Sequence, residues 1–328
     1  MNFEALFHRF TEIKVAVIGD IMLDSYWWGH VDRISPEAPV PVVALDKREL
    51  RIGGAGNVAL NTISLGAPTT ILSVIGNDDD GKLLTGLLSQ NGIDTGFIIT
   101  APNRVTTNKT RIMSRNQQML RLDCEVATDI DETTENALLH NVEQYFMQHQ
   151  PNVLIFEDYN KGVLTPKIIQ KTIALCKQYN VLTAVDPKKK NFLSFKGVDI
   201  FKPNLKEVKE GLNLLLEEVN QSVLEKIHAE LANILAHKIS LVTLSEKGVF
   251  YQYGNESKII PTHVRNIADV SGAGDTVIAV ASLVYAATRQ IALAADMANI
   301  AGGLVCEEVG TAAIQKEKLL KECNILLS

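Results

Sequence analysis

The sequence predicts an α/β fold in which a mainly parallel sheet lies between two layers of helices. From residue 133 onward, short apolar runs typical of buried strands alternate with longer segments typical of helices. Strands that alternate with helices form βα units, which build a parallel sheet covered on both faces. The run 15–18 is entirely apolar and is followed by Gly19-Asp20, as expected of a strand buried on both faces.

Each predicted element follows from its local pattern. Segment 1–11 mixes charged and apolar side chains, which predicts a short amphipathic helix and not a signal peptide. In the first half we predict strands at 15–18 and 69–75, a glycine turn leading into a helix at 53–65, and a helix at 81–91. In the second half we predict helices at 133–149, 166–179, 205–215, 222–237 and 277–287, strands at 153–156, 182–185, 199–201 and 240–244, and a hairpin of 249–253 with 258–260.

Two segments interrupt this alternation, at about 25–50 and 96–123. The first contains Trp27, Trp28 and several prolines, and proline confines a strand to the edge of a sheet. The second is polar and β-like. We expect both to form a small β lid beside the main layer, within one domain that spans residues 1–328.

Composition favours a soluble globular protein, because 46% of the 328 residues are hydrophobic and 21% are charged. The net charge of −6 argues against nucleic acid or an anionic membrane as a partner. No apolar run reaches the length of a membrane span. The four scattered cysteines form no CxxC pair, which favours reduced thiols and a cytoplasmic location.

A glycine turn precedes the apolar run 277–287. Gly272, Ala273 and Gly274 allow the backbone to approach a ligand closely, and a helix N-terminus attracts anions. Asp275 follows in the first helical turn, where a carboxylate can take a proton from an attacking hydroxyl. The alternative is a purely structural glycine loop with an acidic residue that complements the helix dipole.

A second glycine run, 53–59, matches the dinucleotide fingerprint at Gly54, Gly56 and Ala59. That fingerprint should follow the first strand directly, whereas here a proline-rich insertion intervenes. A dehydrogenase is therefore disfavoured, and a glycine turn that packs a helix on the sheet remains an alternative.

Asn204 and Glu207 are three residues apart, as in a capping box, and the same spacing places both on one helix face. Asp24 follows the first strand, where ligands of α/β sheets bind. Its carboxylate can accept hydrogen bonds from sugar hydroxyls or serve only as a turn residue.

The stretch 272–275 and the run 53–59 resemble the two signatures of the ribokinase-like (PfkB) sugar kinases, and the resemblance covers essentially the whole chain. Most members have Thr at the position of Ser271. The resemblance implies a three-layer α/β/α fold with a small β lid, and phosphoryl transfer from ATP with Mg²⁺. Asp275 would be the base, and the amides of residues 272–274 would hold the transferred group.

The same resemblance assigns the binding residues. Contacts to the sugar would come from Asp24, Gly53, Gly54 and Asn57. Contacts to the nucleotide would come from Asn204, Leu205, Lys206, Glu207, Ser245, Gly248 and Asn299. Asn204 and Glu207 would also place Mg²⁺ through water.

Segments 19–29, 33–42, 107–111 and 118–123 are similar to one branch of that family. Its members phosphorylate the anomeric hydroxyl of D-glycero-β-D-manno-heptose 7-phosphate for the lipopolysaccharide core. Many of them carry a fused nucleotidyltransferase domain, whereas we expect residues 1–328 to form the kinase domain alone. We therefore expect a separate adenylyltransferase to catalyse the next step of the pathway. A kinase for fructose 1-phosphate, tagatose 6-phosphate or a nucleoside remains open, as does a non-catalytic sugar or nucleotide sensor.

Basic residues of the second insertion precede its first acidic residue, Asp123. They are Arg104, Lys109, Arg111, Arg115 and Arg121. We expect Lys109 and Arg111, which share a strand face, to bind the phosphate of the substrate with help from Arg104. Lys161 and Lys188 follow strands and are expected to neutralise phosphate charge. A solvated edge strand is the alternative.

The tryptophans of the first insertion indicate that two lids pair in a homodimer, unless they pack only within their own chain.

Overall fold

A nine-stranded sheet forms the centre of the protein in the computed structural model, which describes residues 2–115, 117–215 and 218–327. Neighbouring strands are parallel except at the hairpin that forms one edge. From that edge the order is β13 (Glu256–Ile260), β12 (Val249–Tyr253), β11 (Ile239–Thr243), β10 (Ile200–Phe201), β9 (Leu182–Asp186), β8 (Val153–Glu157), β1 (Val15–Gly19), β4 (Thr69–Gly76) and β5 (Asp94–Ala101).

Helices cover both faces of this sheet because side chains alternate along each strand. In β1, Val15 and Val17 join one hydrophobic core, whereas Ala16 and Ile18 join the other. The first core includes residues of α1 (Phe3–Arg9), α2 (Ala55–Ser64), α3 (Asp79–Gln90), α8 (Ala273–Thr288), α9 (Ile291–Val305) and α10 (Lys316–Leu326). The second includes residues of α4 (Glu132–His149), α5 (Pro166–Gln178), α6 (Leu205–Gly211) and α7 (Gln221–Leu235).

Capping residues fix where several of these helices begin. The Thr165 side chain accepts a hydrogen bond from the Ile168 amide, and Pro166 occupies the first turn of α5. Asp131 and Asn220 cap α4 and α7 in the same way. A side-chain oxygen at this position satisfies one of the unpaired amides of the first turn. The loops between strands and helices are thereby held in place at the edge of the sheet.

The predicted lid is a separate four-stranded sheet within the described residues. Its order is β3 (Pro41–Gly54), β2 (Ile21–Ile34), β6 (Asn108–Ser114) and β7 (Gln117–Cys124). We call it the small sheet. β2 and β3 form a long antiparallel hairpin, and β2 pairs with β6 in parallel. The proline-containing strand β3 lies at an edge, as predicted.

Several boundaries differ from the sequence prediction. Residues 97–101 lie in β5 of the main sheet, so only the later part of the second insertion belongs to the small sheet. β2 begins at Ile21, which places Asp24 on a strand and not in a turn. The helix predicted at 205–215 ends at Gly211, and Asn213 beyond it has a positive φ of 52°. No helix among the described residues is both long and apolar enough to cross a membrane.

Candidate active site

The glycine turn at the start of α8 has the geometry of an anion site. Gly272 has a φ of 79°, and a Cβ there would lie 2.7 Å from Asn57 Nδ2, so the position requires glycine. Ala273 and Gly274 open the sixteen-residue helix α8, whose N-terminus carries partial positive charge. The Ala273 amide makes only a long hydrogen bond, 3.3 Å, to the Val270 carbonyl. The turn can therefore present backbone donors to a phosphoryl group.

Asp275 is held at both carboxylate oxygens. Its side chain is buried, Oδ2 accepts a hydrogen bond from Asn57 Nδ2 at 2.8 Å, and Oδ1 accepts one from the Tyr159 hydroxyl at 2.8 Å. Burial raises the pKa of Asp275 to about 6, although both hydrogen bonds act in the opposite direction. A base is most effective when its pKa is near the working pH. The geometry and the pKa both suit proton abstraction.

Two further carboxylates lie at the carboxyl ends of neighbouring strands. Glu157 of β8 and Asp186 of β9 are in register, and one oxygen of each lies within 4.8 Å of the other and of one oxygen of Asp275. Lysines surround only one of them, because Lys202 Nζ lies 2.7 Å and Lys188 Nζ 2.9 Å from Asp186. Burial raises the pKa of Asp186, but the two lysines outweigh it and hold that pKa below its usual value.

Glu157 is the exception in this cluster. It is fully buried, and neither of its oxygens accepts a hydrogen bond from any described residue. Burial raises its pKa well above the usual value, and Asp186 and Asp275 add to the effect. The other two carboxylates have partners at both oxygens, so the three acids form a buried charge network with Lys188 and Lys202.

The capping box predicted at the start of α6 is present. Asn204 Oδ1 accepts a hydrogen bond from the Glu207 amide, and Glu207 Oε2 accepts one from the Asn204 amide, each at 2.8 Å. Glu207 Oε1 lies 2.7 Å from Lys188 Nζ. Burial lowers the pKa of Lys188, but Asp186 and Glu207 outweigh this and raise it. A carboxylate offers about four lone-pair sites, so Glu207 can still accept hydrogen bonds from the water of a hydrated Mg²⁺.

Some of the predicted nucleotide residues surround a cavity of about 530 Å³. It is lined by Leu205, Lys209, Glu218, Val219, Leu244, Ser245, Glu246 and Lys247. Gly248 ends the short turn beneath it with a φ of 96°, and a Cβ there would collide with the Ile260 carbonyl. Lys206 and Asn299 do not line this cavity. The Lys206 side chain is exposed, and Asn299 donates a hydrogen bond to the Pro261 carbonyl at 2.9 Å.

The predicted sugar residues meet where the small sheet joins the main one. Asp24 is buried, accepts a hydrogen bond from the Thr311 hydroxyl at 3.0 Å and pairs with Arg111 at 2.6 Å. Gly53 lies opposite Met22 in β2, and a Cβ there would lie 2.6 Å from Asp24 Oδ2. Gly54 has a φ of 60° and leads directly into α2 and Asn57. The chain therefore runs from Gly53, beside Asp24, through Gly54 to Asn57, which contacts Asp275.

The basic residues of the second insertion behave differently from one another. Two of them form ion pairs, Arg111 with Asp24 at 2.6 Å and Arg121 with Asp123 at 2.8 Å. Strand register places Asp24 opposite Lys109, two positions from Arg111 along β6. Asp123 follows Arg121 by two positions, so both lie on the same face of β7. Lys109 is partly buried and makes no direct ion pair with any residue that the structure describes. Burial lowers its pKa, although the nearby carboxylates of Asp24 and Glu125 act in the opposite direction.

Arg104 and Lys161 contact each other through the backbone. The Arg104 guanidinium donates a hydrogen bond to the Lys161 carbonyl oxygen. The Lys161 ammonium pairs with Glu125 at 2.7 Å. Burial lowers the pKa of Arg104. Both residues lie near the small sheet, but each already has a hydrogen-bond or ion-pair partner. Lys109 makes no direct ion pair among the described residues.

Comparison with known proteins agrees with this geometry. Residues 12–318 match the pfkB family of carbohydrate kinases. The chain belongs to the PfkB family. It is 37% identical over 325 residues to the bifunctional protein HldE of Geobacter sulfurreducens, covering 97% of this chain and 64% of that protein. It is 38% identical over 311 residues to HldE of Desulfatibacillum aliphaticivorans, covering 94% of this chain and 63% of that protein.

Solved structures of PfkB kinases share the fold. Phosphofructokinase-2 from Escherichia coli in complex with potassium superposes with a TM-score of 0.80 at 17% identity, covering 96% of this chain and all of that one. Arabidopsis thaliana ribokinase complexed with ribose and ATP gives a TM-score of 0.72 at 17% identity, covering 94% of this chain and 99% of that one. The fold is thus ribokinase-like, and the family match identifies the protein as a carbohydrate kinase.

The sequence analysis did not single out two residues that lie in this candidate site. Tyr159 donates a hydrogen bond to Asp275, whereas only Lys161 was considered in its loop. Lys202 is almost fully buried, and its ammonium lies 3.6 Å from the position of a Cβ on Gly274. A residue that directly follows a buried strand was the available signal for both.

Proposed function

We propose that this PfkB kinase transfers the γ-phosphoryl group of ATP to the anomeric hydroxyl of D-glycero-β-D-manno-heptose 7-phosphate, giving the 1,7-bisphosphate. The relatives named HldE align along nearly the whole chain, at 37% identity for the one from Geobacter sulfurreducens. The chain spans about two thirds of the length of these relatives, 64% in that case, so the match concerns one part of a bifunctional protein.

The observation that carries the choice of a phosphorylated sugar is the position of Lys109. Lys109 is partly buried and makes no direct ion pair among the described residues, although Asp24 and Glu125 are near enough to raise its pKa. It lies on β6 opposite Asp24, the residue we assign to the sugar. Burial lowers the pKa of Lys109 because desolvation disfavours the charged ammonium, and a directly bound anionic ligand would offset that cost. We infer that the 7-phosphate of the substrate is this ligand.

The reaction requires one proton transfer and one phosphoryl transfer. Asp275 takes the proton of the anomeric hydroxyl while that oxygen bonds to the γ-phosphorus, and the bond between this phosphorus and its bridging oxygen breaks to release ADP. The amides of residues 272–274 and the N-terminus of α8 hold the transferred group. Lys188 and Lys202 lie beside the same point and neutralise phosphate charge.

A magnesium ion would be held near Asn204 and Glu207 through water. When bound, Mg²⁺ neutralises charge between the terminal phosphates of ATP. Each of these residues uses its side chain in the capping box, and Glu207 retains lone pairs for water. Leu205 and Ser245 line the cavity that we assign to the nucleotide.

The small sheet would exclude water from the reaction and so limit hydrolysis of ATP. We place the enzyme in the cytoplasm, where ATP is available. Adenylyl transfer to the 1,7-bisphosphate is the step that we propose follows, because the relatives named HldE are bifunctional and longer than the matched region.

A coupled assay of ADP release across sugar phosphates tests the proposal. The set contains the heptose 7-phosphate, unphosphorylated heptose, fructose 1-phosphate, fructose 6-phosphate and tagatose 6-phosphate. Phosphorus NMR then identifies the product, and a preparation of Asp275→Asn controls for contaminating kinases. We expect the highest kcat/KM with the heptose 7-phosphate and a new anomeric phosphate. A higher value with a hexose phosphate would refute the heptose assignment and retain the sugar kinase.

A further inference from the structure

Tyr159 connects the catalytic carboxylate to the rest of the site. It lies in the loop after β8, and its hydroxyl donates a hydrogen bond of 2.8 Å to Asp275 Oδ1. Asn57, from α2, donates one of the same length to Oδ2. A carboxylate held at both oxygens by donors from two different elements has a fixed orientation. The remaining lone pairs of Asp275 stay available to a substrate hydroxyl.

The backbone of Tyr159 is fixed by a buried acid. Asp20 is 1% exposed and accepts hydrogen bonds from three amides of this loop, those of Tyr159 at 2.9 Å, Lys161 at 3.0 Å and Val163 at 3.1 Å. Three such bonds to one carboxylate restrain the loop strongly. The hydroxyl of Tyr159 is therefore presented by a rigid segment.

The ring of Tyr159 lies close to two cations that come from different parts of the protein. Lys109 Nζ, on the small sheet, lies 5.4 Å from the ring centroid. Lys188 Nζ, beside the carboxylate cluster, lies 5.5 Å from it. Cations within about 6 Å of an aromatic centroid are attracted to it. The ring thus contacts both Lys109 of the small sheet and Lys188, which we assign to phosphate charge.

We propose that Tyr159 is a positioning residue, whose hydroxyl orients Asp275 for proton abstraction and whose ring aligns that hydroxyl with the small sheet through Lys109. The proposal rests on the role of Asp275 as the base but not on the identity of the sugar. Burial raises the pKa of Tyr159 well above its usual value, so the hydroxyl keeps its proton and acts as a donor only. The proton of the substrate passes to Asp275 and not to Tyr159.

Tyr159→Phe tests the hydroxyl while it keeps the ring. A hydrogen bond to a charged group contributes about 1.5–3 kcal/mol, so we expect kcat to fall about 10- to 100-fold. The KM values for ATP and the sugar phosphate should stay within about twofold, because the ring and both lysines remain. Tyr179→Phe is the matched control, since Tyr179 packs on Phe146 at the end of α5. It should leave kcat and KM unchanged.

A double variant separates positioning from a general loss of structure. If Tyr159 acts through Asp275, then adding Tyr159→Phe to Asp275→Asn should lower the residual kcat by less than about twofold, because effects of residues that act as a unit are non-additive. Equal losses in both backgrounds would overturn the proposal, as would a Tyr159→Phe enzyme with kcat within about twofold of wild type. Thermal unfolding of each variant confirms that it is folded.

Tyr159→Leu removes the ring as well and should additionally raise KM for the sugar phosphate. An unchanged KM would exclude the part played by Lys109. All variants are assayed with whichever sugar phosphate the wild-type enzyme uses best. A substrate other than the heptose 7-phosphate would refute the proposed function alone, and full activity of Asp275→Asn would refute the base. Loss of activity in Asp275→Asn but not in Tyr159→Phe would refute only the positioning role.

Discussion

The guanidinium of Arg111 lies 2.6 Å from the carboxylate of Asp24, so a residue expected to bind phosphate and one expected to bind sugar form a single ion pair. Their side chains are only 14% and 5% exposed. Removing one partner of a buried pair leaves the other charge uncompensated, at a cost of about 3–5 kcal/mol. A substitution of either residue therefore disturbs the whole sugar site and does not test phosphate binding alone.

Lys109→Ala is consequently the sharper test of the phosphate site. Because its ammonium has no ion pair among the described residues, we expect kcat/KM for the heptose 7-phosphate to fall about 10- to 100-fold, with little change for the unphosphorylated heptose. Steady-state kinetics on both sugars checks this. Arg111→Ala should lower both values and the free energy of unfolding. Arg121→Ala, on the exposed neighbouring strand, is the control. Equal losses on both sugars in Lys109→Ala would contradict the assignment.

Asp275→Asn should strongly reduce turnover without unfolding the protein. The two side chains are nearly isosteric, and general-base catalysis contributes about 10²- to 10⁴-fold. We expect kcat to fall by that factor, while ATP binding by calorimetry and the circular dichroism spectrum stay unchanged. Asp79→Asn alters a side chain that is 92% exposed and should behave like the wild type. Turnover above about a tenth of the wild-type value under chemistry-limited conditions would exclude the base role.

The pH dependence of kcat/KM should follow the ionisation of the same carboxylate, Asp275. Burial raises the pKa of Asp275 to about 6, and the base works only when ionised. Activity should therefore rise as the pH increases through about 6 and then level off. Asp158 also has a pKa raised by burial to about 6, so Asp158→Asn is the control that should retain this limb. The limb should vanish from the residual activity of Asp275→Asn, and its persistence there would point to another group.

Local features of the site could be predicted from the sequence, but contacts across the sheets could not. The glycines and Asp275 lie together in the chain, so their arrangement at a helix N-terminus follows from local pattern alone. The pairing of Asp24 with Arg111 depends on the register between β2 and β6, which no local periodicity encodes. The same holds for Tyr159, whose partner lies 116 positions further along the chain.

Strand β5 shows why the boundary of the lid was misjudged. As an edge strand of the main sheet it is only partly buried, and its mixture of exposed and intermediate residues resembles that of the small sheet. A polar, β-like sequence is therefore compatible with an edge strand of either sheet. The fully buried strands β1, β8 and β9 gave no such ambiguity.

Glu207→Gln should raise the Mg²⁺ concentration required for half-maximal activity. The substitution keeps the shape of the capping box but removes the charge that we assign to a hydrated ion. Titration of activity with Mg²⁺ measures the shift. Glu210→Gln, on the same helix and facing Lys206, is the control. If Glu207 were only a cap, the free energy of unfolding would fall by about 0.5–2 kcal/mol while the Mg²⁺ titration stayed unchanged.

The small sheet should mediate a homodimer. Its edge strand β7 exposes Leu120 by 52% and Leu122 by 50%, on one face because the residues are two apart. Exposed apolar edges of this kind are normally covered, and a second copy can cover them symmetrically. We expect the wild-type protein to sediment at twice the 36.0 kDa of one chain.

Aspartate at both leucines should convert that dimer to monomers, because an apolar interface would then have to bury two charges from each chain. Analytical ultracentrifugation at micromolar concentration measures the mass of the double variant Leu120→Asp, Leu122→Asp. Met147→Asp is the matched control, since Met147 is 58% exposed on α4, in the main layer and away from the small sheet. It should remain dimeric. A monomeric wild-type protein, or a double variant that stays dimeric, would show that these leucines do not form the interface.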